Sequence, residues 1–239
     1  MTHNIKYSFF RIKPLHLQKI ILKIAFSSLR RKLFISQYLL VSSIFSVVIH
    51  ARIKIRKAYL LHDLGNDDDA MKEVDEAEQM LSLAECHEDN AEVNNAKANI
   101  ILSSTQNNKL DQNQILHHLD KAIESCEKAT VDKSNTIIQV MLRKALVHLG
   151  FYQHGILENV QSSTVDTAEN VLNHIARQSK ELSKRSMIYY IYSQSLLAYR
   201  KGQTNLAIKL EHKARRKSGK HHLSMEIQQL DLLKNLLRA

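Results

Sequence analysis

KAYLLHDLGNDDDAMKEVDEA, residues 57–77, holds one glycine between two apolar runs. Ala58 lies seven residues before Gly65, Ala70 five after it, and Ala77 seven further on. QSLLAYRKGQTNLAIKLEHKA, residues 194–214, repeats that spacing with Ser195, Gly202, Ala207 and Ala214. Glycine is favoured just past a helix C-terminus, where the backbone often turns left-handed. Small residues at fixed places let two helices approach closely. Each stretch therefore reads as a helix, a tight turn and a second helix packed back on the first.

Working outward, Gly150 follows LRKALVHL, Gly155 falls in the same turn, and Gly219 follows HKARRKS, so all five glycines are expected where helices stop. The single proline, Pro14, lies near the N-terminus, and a chain so poor in breakers favours long helices. The Ala–apolar pattern recurs as Ala122-Ile123, Cys126 and Ala129, more loosely as Ala168, Leu172 and Ile175, and as Ala207-Ile208, with Glu211 at the middle place, and Ala214. Apolar spacing predicts helix pairs over 52–64 and 67–84, 89–104 and 112–129, 134–149 and 163–178, and 180–201 and 204–217. A capping helix follows over 222–238, with Leu223, Ile227, Leu230, Leu233 and Leu237 on one side.

These residues resemble the tetratricopeptide repeat (TPR) family, in which a turn glycine precedes two small helix-B residues by five and twelve positions. The resemblance covers about 52–218 and implies an all-α, TPR-like solenoid of four antiparallel helix pairs plus a C-terminal cap. The repeats are irregular: the first alanines of successive copies are 52, 46 and 39 residues apart, and the family's tryptophan and terminal proline are missing.

The net charge of +10 is unevenly spread. Residues 1–62 carry 12 Lys/Arg and no acid, leaving 22 basic against 24 acidic side chains in 63–239. The high isoelectric point is thus no argument for a nucleic-acid-binding domain. Residues 1–51 form a separate basic and apolar segment. Within it, 33–51 has no charge over 19 residues and is flanked by Arg30, Arg31 and Lys32 and by Arg52 and Lys54. That length just spans a membrane. Leu17, Ile20, Ile21 and Ile24 beside Lys19 and Lys23 suit a targeting helix. The third reading is an extension without function, since translated AT-rich non-coding DNA has this composition. Cys86 and Cys126 form no disulfide framework or zinc spacing, and there is no Asn-x-Ser/Thr acceptor. Both point to a cytoplasmic setting, with membrane anchoring through 33–51 as the alternative.

No catalytic signature is present: no Gly-rich phosphate loop, HExxH or Gly-x-Ser-x-Gly. The expectation is a non-catalytic scaffold that needs no cofactor or metal. Asp67, Asp68 and Asp69 are read as helix-capping acids. The resemblance implies that A helices line a concave face. It makes Asn95, Lys97, Asn99, Gln139, Arg143, Tyr189, Tyr192 and Gln194 the candidate contacts for a peptide or helix of a partner protein. The alternative is RNA or phosphate binding by the basic cluster Lys213, Arg215, Arg216, Lys217 and Lys220.

Overall fold

The computed structural model describes residues 44–82, 84, 86–104, 112–130, 134–152, 155–178, 182–221 and 223–238. The chain divides into two compact units, Met1–Val47 and Val48–Ala239. Most of the expected 33–51 span, and the whole 17–24 helix, lie outside the described residues. Among those described, no helix is long and apolar enough to cross a membrane.

The described residues are all-α apart from one short hairpin. The helices are α1 (44–63), α2 (Asp67–Leu81), α3 (His87–Ser104), α4 (Gln112–Lys128), α5 (Ser134–His148), α6 (Ser162–Gln178), α7 (Lys184–Arg200), α8 (Thr204–Lys220) and α9 (Ser224–Leu236). Between α5 and α6, β1 (Phe151–Tyr152) pairs antiparallel with β2 (Gly155–Ile156).

The two stretches that decided the reading end their first helices identically. The Gly65 amide donates to His62 O and that of Asn66 to Leu61 O; the Gly202 amide donates to Tyr199 O and that of Gln203 to Ala198 O. With φ of 80° and 73° at the two glycines, both turns are Schellman motifs. Two glycine expectations are corrected. Gly219 lies inside α8, which runs to Lys220, and Gly155 is a strand residue of the hairpin.

The even-numbered helices show a regularity that the alanine spacing hides. α2 buries Ala70, Val74, Ala77 and Leu81; α4 buries Ile115, Leu119, Ala122 and Cys126; α8 buries Ala207, Glu211, Ala214 and Ser218. In each helix these are the fourth, eighth, eleventh and fifteenth residues. Ala122 therefore matches Ala77, not Ala70. The sets of α2 and α4 are 45 residues apart, and those of α4 and α8 are 92 apart, twice 46. α6 departs from this spacing: it buries Val165, Ala168, Leu172 and Ile175, its fourth, seventh, eleventh and fourteenth residues.

The core forms three clusters that share helices. The first joins Val48, Ala51, Ile55 and Ala58 of α1 to the α2 set and to Val93, Ala96 and Ile100 of α3. The second joins Ala98 and Leu102 of α3 to Ile115, Leu119 and Ala122 of α4 and to Val140 and Val147 of α5. The third runs from Leu142 and Leu146 of α5 through α6 and α7 to Leu230 and Leu233 of α9. Each even helix packs on the odd helix after it, and α5 touches α7, as α7 touches α9.

Charge closes the first pair. Arg52 holds Asp89 of α3 with both carboxylate oxygens, at 2.7 and 3.1 Å. Lys54 and Lys57 reach Glu73 of α2 at 2.9 and 2.6 Å, and Arg56 reaches Glu92 at 3.0 Å. The basic run 52–57 thus packs on α2 and α3, and the first core cluster begins at Val48.

Candidate functional site

A cavity of about 270 Å³ opens among the odd-numbered helices. His62 comes from α1, Asn99 and Leu102 from α3, and Gln139, Leu142, Arg143 and Leu146 from α5. Phe151 comes from β1, Arg185, Ser186 and Tyr189 from α7, and Gln229 from α9. Leu102, Leu142, Leu146 and Phe151 are buried and make an apolar floor. The remaining lining is polar or cationic.

Helical spacing explains the α5 contribution. Gln139, Leu142, Arg143 and Leu146 follow one another by three, one and three residues and so share a face. Arg143 donates from Nη1 to Asn95 Oδ1 of α3. Asn95 also bonds the Tyr59 hydroxyl of α1, whose pKa is raised by burial. A polar ladder therefore crosses α1, α3 and α5. Burial lowers the pKa of the Arg143 guanidinium, while Tyr59 and Tyr189 act to raise it. At the α1 edge, His62 Nδ1 lies 2.7 Å from Asp67 Oδ1 and 3.3 Å from Ser103 Oγ. Both partners meet the same ring nitrogen, so the three residues do not form a nucleophile–base–acid relay.

Four of the eight expected groove residues line the cavity: Asn99, Gln139, Arg143 and Tyr189. Asn95 stands behind them and positions Arg143. Gln194 donates to the Tyr190 hydroxyl at 2.9 Å, on the same helix. Two placements differ from expectation. Lys97 is buried between Asp75 and Glu78 of α2, at 2.6 and 2.8 Å. Burial lowers its pKa, but the two carboxylates outweigh this and raise it overall. Tyr192 is 2% exposed and packs edge-on against Phe151 at 5.6 Å. The sequence reading missed Tyr59, His62, Arg185, Ser186 and Gln229. Arg185, Ser186 and His62 lie at helix ends, where a face is hardest to assign from spacing.

A second cavity, of about 240 Å³, is lined by Val48, Arg52, Cys86, His87, Glu88, Asp89, Lys128, Ala129 and Thr130. Its arginine is already matched by Asp89. Burial raises the pKa of the Cys86 thiol, which makes it a weak nucleophile.

The basic cluster divides. Arg215 is held by Glu211 at 2.7 Å and by Asp231 of α9 at 2.9 Å. Lys213, Arg216, Lys217 and Lys220 are exposed. Asp68 and Asp69 sit in the first turn of α2 as expected of dipole-matching acids. Asp67 instead binds His62, and the N-cap residue Asn66 makes no side-chain capping bond. Among the described residues, no group of acids, histidines or cysteines is placed to hold a metal ion.

Compared with family models, curated proteins and solved structures, the chain matches none.

Proposed function

We propose that residues 48–239 are a non-catalytic, TPR-like binding module that takes a peptide segment of a partner protein in the cavity between the odd-numbered helices. The observation that carries this reading is the lining: five successive odd helices contribute to one recess with an apolar floor and a polar rim. Mostly preformed recesses with few, well-placed polar groups are the usual form of a binding site. The shared turn geometry at Gly65 and Gly202 and the 45-residue offset between the buried sets of α2 and α4 support a stacked repeat, in which each unit contacts mainly its neighbours. That offset is longer than the 34 residues of a standard TPR and falls in the range of two-helix HEAT-type repeats.

The test is capture of partners on full-length protein, comparing wild type with Gln139→Arg and Tyr189→Ala. Both residues line the cavity, so both variants should lose the same partners. Partners retained by both variants at wild-type levels exclude this cavity as the binding site.

A second reading, phosphate or RNA binding on α8, is supported by the exposed Lys213, Arg216, Lys217 and Lys220. It predicts affinity that falls steeply with salt. Flat affinity between low and physiological salt excludes it.

A further inference from the structure

We infer that the cavity receives one anionic side chain of the bound peptide, with Arg143 as its counter-charge. This inference rests on the peptide-binding reading and gives that site a chemical specificity.

The domain matches most of its buried and partly exposed cations with acids. Arg52 has Asp89; Lys54 has Glu73 and Glu76; Lys97 has Asp75 and Glu78; Lys144 has Asp120; Lys201 has Glu169; Arg215 has Glu211 and Asp231. Arg200, which has no acid, donates to three backbone carbonyls. Arg143 and Lys234 of α9 are the exceptions, and of the two only Arg143 lines the cavity. Among the described residues Arg143 makes no ion pair, and its one hydrogen bond uses the neutral Asn95 oxygen. A guanidinium has five donors in a planar fork suited to a carboxylate or phosphate. Charges taken out of water are normally paired. Arg143 therefore brings to the cavity a positive charge that no acid among the described residues pairs with.

The geometry narrows the ligand. About 270 Å³ lies just below the range of pockets for drug-sized molecules and suits one or two side chains rather than a whole helix. Leu142 and Leu146 flank Arg143 on α5 and Leu102 faces it from α3. An acidic residue beside an aliphatic one matches both surfaces. A carboxylate and a phosphate would share this recognition, and the assay separates them.

The test uses full-length protein and a peptide set with a central Glu, Gln or phosphoserine between leucines. A charge-assisted bond to a half-buried arginine is expected to favour Glu over Gln by roughly tenfold or more. Arg143→Met should abolish that preference and Arg143→Lys should keep part of it, with circular dichroism confirming that each variant is folded. Stronger binding of phosphoserine than Glu, also lost in Arg143→Met, identifies phosphate as the anion and supports the inference. Equal binding of Glu and Gln peptides overturns it and leaves the peptide groove standing. A Glu preference that survives Arg143→Met overturns the assignment to Arg143. No binding of any peptide overturns both readings.

Discussion

Arg215→Met tests whether the basic cluster on α8 is partly structural. Glu211 is 3% exposed and occupies the place that Val74 and Leu119 hold in α2 and α4. A carboxylate there is tolerated because Arg215 covers it at 2.7 Å and ties it to Asp231 of α9. Removing one partner of a buried pair costs about 3–5 kcal/mol, mostly because the other charge is left uncompensated. The Arg215 side chain is 27% exposed, so water reaches the pair and about 2–3 kcal/mol is the better expectation. For a domain of this size that is a fall in Tm of roughly 4–10 °C. Adding Glu211→Leu should recover most of the loss, because it restores the apolar stripe of the other even helices and removes the stranded charge. The assay is thermal and urea unfolding of the two single variants and the double variant, read as a double-mutant cycle. If Arg215→Met changes stability by less than about 0.5 kcal/mol, the ordinary range for surface substitutions, the pair is solvent-screened and the reasoning fails.

Three further outcomes follow from particular contacts. His148 is buried with neither ring nitrogen hydrogen-bonded, and burial lowers its pKa in the folded state. The unfolded chain therefore binds the proton more readily, so the contribution is intact above the ordinary value of about 6.5 and is lost as pH falls through it. A pH titration of stability should be flatter in His148→Phe. Arg200 ties Leu149, Leu157 and Glu158 carbonyls to α7. Arg200→Ala should cost about 2–4 kcal/mol and speed amide exchange in 149–158 before the rest of the domain. Ala51 is fully buried in the first cluster. Ala51→Asp should lower Tm and expose α1 and α2 to protease, whereas Ile53→Asp, on the exposed side of α1, should leave both unchanged.

The helices were legible because their boundaries are local. Gly65 and Gly202 mark left-handed turns, and the apolar residues between them keep a helical period. The copy-to-copy register was not legible. Alanines four and seven residues apart fit either of two successive turns, and only the buried sets show that Ala122 matches Ala77. The 151–156 hairpin left no trace because strands of two residues have no period to read. At the site, Asn99, Gln139, Arg143 and Tyr189 were found from their place on A helices. Lys97 was read as a groove residue because its partners, Asp75 and Glu78, lie on another helix, and spacing within one helix carries no information about that pairing. Tyr192 is three residues from Tyr189, and that rotation about the helix axis separates a residue of the cavity wall from one of the core.

Site-specific photo-crosslinking asks whether a partner binds between the odd-numbered helices. A photoreactive residue is placed at Gln139 or Tyr189, which line the cavity, and in parallel at Lys213 on the exposed side of α8. Binding between the odd-numbered helices predicts that Gln139 and Tyr189 capture the same partner and that Lys213 does not. Capture of that partner from Lys213, with none from Gln139 or Tyr189, would contradict it.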